Sequence, residues 1–436
     1  VSPLVPLTIY NLAAPLALGL MLPRSLRKIR SRGGYGGRGG DRLARYPKEL
    51  LERLDALGEE RPLFIQAVSV GEAAVASKLV AELKVVAPEL PIVLGTTTPT
   101  GQAIARERVG HLAELIYSPI DLPHVARRCL EQIRPQRIVL IDSDLWPNLL
   151  WLAHGRGIPT SVVNARLSPR SESRFLKFAR LTRPIFSLLD QVCVDDEADL
   201  ARWAGLGVDS SRLVHTGSIK FDTASPPAAP ASFSVLLDRT WPDRGPFLLG
   251  VSTHDGEELL FAEAWRALLK GCPDARLAIA PRHVERREEI AGALREAGFG
   301  VHLRTETSGP WQGGQPPVLL IDTTGELAAW QSLADFCVIG KSFKGRGGQN
   351  PAEAAAAGKV VVAGPHMENF EGLMQLLDDA GGVVRARDAA ELTILLGALT
   401  GDPERVENLG ASARESLSAH RGATERTVQA LLGLGS

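Results

Sequence analysis

Short apolar runs alternate with longer amphipathic stretches along most of this chain, and few folds tolerate that pattern. PLFIQAVSV reads as a strand, and EAAVASKLVAELKVV beyond it has helical spacing. PIVLGTT, LIYSPI, RIVLID, TSVVNA and DQVCVD are further strands, most with helical stretches between them. Such alternation calls for a parallel sheet with crossover helices. The near-continuous apolar strands suit a sheet covered on both faces. The pattern breaks at ASPPAAPAS, Ala224 to Ser232, whose composition is that of a linker. It then resumes with PFLLGVS, RLAIAP, VLLID, DFCVIG, KVVVAG and GGVVRA. The expected class is α/β. It has an N-terminal domain over 24–223, a linker over 224–232, a second domain over 233–415 and a C-terminal helix over 416–436. The two open sheets are expected to face a cleft at their strands' C-terminal ends.

The first 23 residues break the soluble pattern. Leu4 to Pro23 carries no charge and is about as long as a bilayer core is thick. From Arg24 to Arg45 there are eight Arg or Lys against one acid, Asp41. Residues 1–23 are therefore expected to anchor the chain in a membrane. The basic run stays cytoplasmic, beside an anionic lipid surface. Pro6, Asn11 and Pro15 weaken a straight span, so a helix lying in the interface is the alternative. The whole chain has a net charge of −1, which excludes a bulk nucleic-acid binder. Its four cysteines, Cys129, Cys193, Cys272 and Cys337, have no metal-ligand spacing and form no CxxC pair. No metal and no cofactor is expected.

Chemistry-bearing residues gather where strands hand over to helices. The two halves open alike, with VSVGEAA (Val68 to Ala74) and VSTHDGEEL (Val251 to Leu259). Each is a strand, a Ser, a turn with Gly-Glu, then a helix. Glu72, after Ser69 and Gly71, is either a first-turn residue favoured by the helix dipole or a general base facing the cleft. Thr97 and Thr98 in GTTTPTG either cap a helix or bind phosphate. IDSDLWPNLL places Asp142 and Asp144 straight after a strand, two apart and so on one face of an extended segment. Arg166 and Arg170, in NARLSPRSESR, belong to a solvated loop or to a phosphate site. Arg282 and His283 follow another strand and suit a phosphate or diphosphate. Gly347, Gly348, Gln349 and Asn350 lie in a glycine-rich loop before a helix, where backbone N–H groups can hold a phosphate. Glu353 in that helix's first turn could accept both hydroxyls of a ribose. Together these suggest a nucleotide-sugar site.

The order AVSVGE, TTTPTGQ, DSDLWPNLL, VVNARLSPRS, HTGSIKFD, VSTHDGEE, PRHVER, DTTGEL, GGQNPAEAAAAGK, GPHMENF resembles the Kdo (3-deoxy-D-manno-octulosonic acid) transferases of lipopolysaccharide biosynthesis. The resemblance implies a GT-B fold of two Rossmann-like domains and an inverting transfer from CMP-Kdo. It implies a lipid A precursor of lipid IVA type as acceptor, on the cytoplasmic face of the inner membrane. Glu72 falls on the family's base and Asp142 on a second carboxylate, usually Glu. Ser252, His254, Arg282, Gly348, Asn350 and Glu353 fall near CMP, with His283, Gly325, Glu326, Gly347 and Gln349 beside them. Ser69, Gly71, Thr97, Thr98, Arg166 and Arg170 are assigned to the acceptor. Gln66 stands where His is usual, Ser218 for Asn, Lys341 for Gly and Gln349 for His. These departures keep two alternatives open: a GT-B transferase with another sugar donor or acceptor, and a silent nucleotide-sugar-binding paralogue.

Overall fold

The computed structural model describes residues 3–15, 34–222, 229–241, 245–306, 311 and 316–434. The chain divides into two compact units, Val1–Asp222 with Gly422–Ser436, and Thr223–Arg421. Unit 1 holds seven parallel strands: β1 (Leu63–Ala67), β2 (Ile92–Thr96), β3 (Glu114–Tyr117), β4 (Arg137–Ile141), β5 (Thr160–Ala165), β6 (Gln191–Val194) and β7 (Leu213–His215). Their order is β3-β2-β1-β4-β5-β6-β7. Unit 2 holds β8 (Phe247–Thr253), β9 (Arg276–Pro281), β10 (Val301–Leu303), β11 (Val318–Leu320), β12 (Phe336–Ile339), β13 (Val360–Ala363) and β14 (Val383–Arg385). They lie in the order β10-β11-β9-β8-β12-β13-β14, also all parallel.

Every expected strand is present. β7 and β10 were not expected: each is three residues at a sheet edge, too short to make an apolar run. The inner strands β1 and β2 are buried throughout because helices cover both faces. Strand order reverses between β1 and β4 in unit 1 and between β8 and β12 in unit 2. In an open parallel sheet the loops beyond the strands' carboxyl ends diverge there and leave a crevice.

The C-terminal boundary needs correction. Residue 416 falls inside the helix Pro403–Ser418, and the change of unit comes at Gly422. The last helix, Ala423–Leu432, belongs to unit 1. The Asp222 carboxylate accepts from Gly422 N at 2.9 Å and Thr424 N at 2.8 Å, capping that helix. Val428 and Leu431 then fill the core beside the β1 helix. Of the expected linker, residues 224–228 lie outside the described residues, and Ala231 and Ser232 already open the helix Ala231–Thr240.

Residues 4–15 form a helix that docks on unit 1. Leu7 is buried in its core, and Asn148 Nδ2 donates to Asn11 Oδ1 at 2.8 Å. Leu4, Val5, Ile9 and Leu12 remain exposed. The rest of the expected anchor, 16–23, lies outside the described residues, as does 24–33 of the basic run. Among the described residues no helix is long and apolar enough to cross a membrane. Two arginines of the basic run are used inside the fold. Arg38 pairs with Asp41 at 2.7 Å, and Arg42 donates to the Ser118 carbonyl.

Candidate active site

Glu72 stands at the strand-order reversal of unit 1. The helix Val70–Val86 begins immediately after β1, and Ser69 is its N-cap. Ser69 Oγ accepts from Glu72 N at 3.2 Å, while Glu72 Oε1 accepts from Ser69 N at 3.2 Å and Oε2 from Val68 N at 2.7 Å. This reciprocal capping box fixes the carboxylate in one orientation. Glu72 is only 6% exposed. Burial, aided by the charges of Asp142 and Asp144, pushes its carboxyl up to about 7, although the Val68 N–H bond and the Ser69 hydroxyl oppose the shift. A carboxyl poised there can both take and hold a proton near neutrality.

Across the reversal, Asp142 follows β4. It adopts a left-handed backbone, φ 61°, as does Asn164 at the end of β5, φ 54°. Asn164 Nδ2 donates to Asp142 Oδ1 at 2.7 Å, and Asn164 Oδ1 accepts from Ser218 Oγ at 3.2 Å. Left-handed backbone at non-glycine residues costs energy and persists where surrounding bonds hold it. Burial also raises the Asp142 carboxyl, against the pull of the Asn164 bond and of Lys220. Asp195, beyond β6, was not anticipated. It is buried, its Oδ1 has no partner among the described residues, and burial with the charge of Asp199 pushes it up to about 7. Its signal was an Asp directly after an apolar strand.

The acceptor-side residues divide. Thr98 caps the helix Pro99–Val109, its Oγ1 accepting from Gly101 N at 3.1 Å. Thr97 N bonds Ala67 O at 3.2 Å, and its buried hydroxyl has no partner among the described residues. Gly71 is exposed in the first turn of the Glu72 helix. Arg166 is exposed past β5, close enough for its charge to lower Asp142 and Asp195. Arg170 is exposed on the helix Pro169–Lys177.

In unit 2 the loops after β8, β9 and β12 meet. Gln349 Nε2 lies 2.8 Å from His254 Nε2, and the His254 and His283 rings stand edge to face at 5.9 Å. Arg282 N donates to Thr253 O at 3.0 Å. Ser252 and Lys341 are left-handed, φ 51° and 56°. Burial, then the Lys341 charge, holds the His254 imidazole below its usual value, so at neutral pH it is uncharged and able to accept from Gln349. Glu257, another unanticipated residue, organises this region. Its buried carboxylate accepts from His254 N at 3.0 Å, Lys341 N at 2.5 Å, Phe343 N at 3.0 Å and Lys344 N at 3.4 Å.

The glycine loop differs from the expected phosphate cradle. Its helix is only Ala352–Ala356, five residues long, and Asn350 Oδ1 already accepts from Ala352 N at 3.1 Å. Gly347 N donates to Glu368 Oε2 at 2.7 Å, and Gly348 N to Lys341 O at 3.2 Å. The glycines are needed for close approach: a Cβ on Gly348 would meet Met367 Sδ at 2.4 Å. Glu353 is half-buried in the first turn. Gly325 and Glu326 follow β11, two strands from β8. There Glu326 bonds Thr323 Oγ1 at 2.7 Å and pairs with Arg304 at 3.3 Å, not with the His254 cluster.

Residues 38–223 match the family model described as 3-Deoxy-D-manno-octulosonic-acid transferase (kdotransferase). The 3-deoxy-D-manno-octulosonic acid transferase of Haemophilus influenzae is 32% identical over 394 residues, 89% of this chain and 91% of that one. That of Bordetella pertussis is 34% identical over 380 residues, 85% of this chain and 86% of that one. Among solved structures, the C-terminal CMP-Kdo binding domain of WaaA from Acinetobacter baumannii is 27% identical, covering 43% of this chain and 97% of that domain, with a TM-score of 0.39. Each unit is an open parallel sheet, unit 1 with the buried Glu72 carboxylate and unit 2 with the His254 loop cluster, and the relatives place the chain among glycosyltransferases. Within that class it belongs to the Kdo transferase family.

Proposed function

We propose that this chain transfers Kdo from CMP-Kdo to a lipid A precursor of lipid IVA type in lipopolysaccharide core synthesis. The transfer inverts the anomeric carbon and needs no metal. The observation that carries the base assignment is the buried, doubly bonded Glu72 carboxylate, pushed up to about 7 at the strand-order reversal. In the proposed step the acceptor hydroxyl oxygen attacks the anomeric carbon of Kdo. Its proton passes to Glu72. The bond from that carbon to the CMP phosphate oxygen breaks, and its electron pair leaves with CMP. Asp142, held by Asn164, keeps Glu72 basic through its charge. Arg282 and Lys341 offer positive charge to the leaving phosphate, and Glu353 would take the ribose. The N-terminal helix, apolar on its outer face, would hold the protein at the cytoplasmic face of the inner membrane.

Purified protein with CMP-Kdo and lipid acceptor should release CMP and add one or more Kdo masses to the lipid, and should do so in excess EDTA. Glu72→Gln should lower turnover by about 10²–10⁴-fold while CMP-Kdo binding persists. Unchanged turnover removes Glu72 from the role of base. Release of nucleotide only from a different sugar donor overturns the donor assignment.

A further inference from the structure

Unit 1 contains a cavity of about 490 Å³ that the transfer chemistry does not use. The N-terminal helix forms one wall through Ile9 and Ala13. Phe175 and Ile185, from the successive helices Pro169–Lys177 and Ala179–Phe186, form another. Ser143 and Asp144 also line it, and the Asp144 charge reaches Glu72. The cavity therefore joins a mostly apolar chamber to the segment that carries the acidic site.

Its surroundings indicate what enters. Ile9 lines the cavity and is also exposed, as are Leu4 and Leu12 on the same helix. Next to Phe175 in the chain, Leu176 and Phe178 are exposed. Exposed apolar side chains grouped in this way mark a contact surface. The helix Pro169–Lys177 also bears Arg170, Arg174 and Lys177 at i, i+4 and i+7, which is one helical face, and all three are exposed. Its Glu172 pairs with Arg202 at 3.5 Å and does not neutralise that face. An apolar chamber beside a basic ridge complements a molecule with an apolar tail and an anionic head.

We infer that the cavity is an acyl-chain subsite: it takes one chain of an anionic lipid whose head group lies against the basic ridge. That the lipid is the acceptor rests on the proposed transfer reaction. The chain would then leave the apolar surface for the protein, bringing the acceptor's head toward Asp144 and Glu72.

A direct binding experiment separates the two claims. The full-length protein is irradiated with a long-chain fatty acid carrying a diazirine near its methyl end, and the labelled residues are mapped by mass spectrometry. Label on Ile9, Phe175 or Ile185 is expected, with uptake lowered about tenfold in Thr182→Trp, which fills the chamber from one wall, or in Ala13→Trp, which fills it from the other. Arg174→Glu with Lys177→Glu, both on the surface, should weaken uptake of the fatty acid and leave uptake of the matching fatty alcohol unchanged. Label confined to Leu4 and Leu12, uptake indifferent to both tryptophans, or cross-links between two copies of the chain would each overturn the subsite. In turnover, Thr182→Trp should raise KM for an acylated acceptor and not for its deacylated form. Labelling of the chamber by a protein that transfers no Kdo would leave the subsite standing and remove the reaction.

Discussion

Glu72 and Glu257 occupy matching places in two similar stretches of sequence, yet the fold gives them different work. Each follows a strand, a Ser and a turn with glycine, and each lies in a helix's first turn beside a strand-order reversal. Among the described residues Glu72 is bonded within its own cap, by the N–H groups of Val68 and Ser69 and by the Ser69 hydroxyl. Glu257 accepts from its own turn at His254 and also from Lys341, Phe343 and Lys344, more than eighty residues away in sequence. A carboxylate that ties two loops together has no lone pair to spare for a substrate proton. One that meets only its own cap, among other acids, does. Local sequence therefore marks the position, and the distant loop decides the role.

The contrast breaks most visibly at Glu257. Replacing it with Ala leaves the partly buried N–H groups of His254, Lys341, Phe343 and Lys344 without this acceptor, at about 1–3 kcal/mol each where water does not reach them. Glu257→Ala should destabilise unit 2 by roughly 3 kcal/mol or more, read by urea unfolding, and should loosen the His254 loop. Glu257→Gln, which keeps one acceptor oxygen, should lose less. A loss below about 1 kcal/mol for the Ala variant would mean that the loop does not depend on this carboxylate.

That contrast also marks what could be read from sequence. The inner strands were legible because burial on both faces demands uninterrupted apolar runs, as in IVLI of β4 and FCVI of β12. β7 and β10 were not, since an edge strand of three residues needs no such run. Glu72 was visible as a candidate but ambiguous: a capping box and a base require the same Ser and Glu. Glu257 and Asp195 were hidden, because their importance comes from loops and strands brought beside them by folding. The return of the last helix to unit 1 was hidden too, since it rests on Asp222 capping residues about 200 positions later.

A smaller effect sharpens the Glu72 side. Its folded carboxyl lies at about 7 against an ordinary 4.5, so the folded chain holds that proton more tightly than the unfolded one. The stabilisation this supplies is complete below the ordinary value and is lost as pH rises through about 7. Above that, ionised Glu72 costs the native state up to about 3 kcal/mol, from which Gln gives back about 1 for the weaker bond to its cap. Glu72→Gln should therefore raise unfolding stability at pH 8 by on the order of 1–2 kcal/mol, with no gain at pH 4. The same substitution that lowers turnover would stabilise the protein. Equal effects at the two pH values would mean that the carboxyl is not strained by burial.

The smallest effect lies on the cationic side, at Lys341. Its left-handed backbone, φ 56°, is strained for any residue with a Cβ, and glycine relieves that strain. Glycine also adds unfolded-chain entropy worth roughly 0.5–1 kcal/mol, so Lys341→Gly should change stability by no more than about 1 kcal/mol. Its clearer signature is at His254. The Lys341 charge is the second cause, after burial, of the lowered imidazole value. Removing it should let His254 titrate higher, yet still below the ordinary 6.5, because burial remains. Titration of the His254 ring protons by NMR would show this. If His254 did not move, Lys341 would not contribute to the field of the donor-side cluster. The acidic and cationic reversals would then differ less than their side chains suggest.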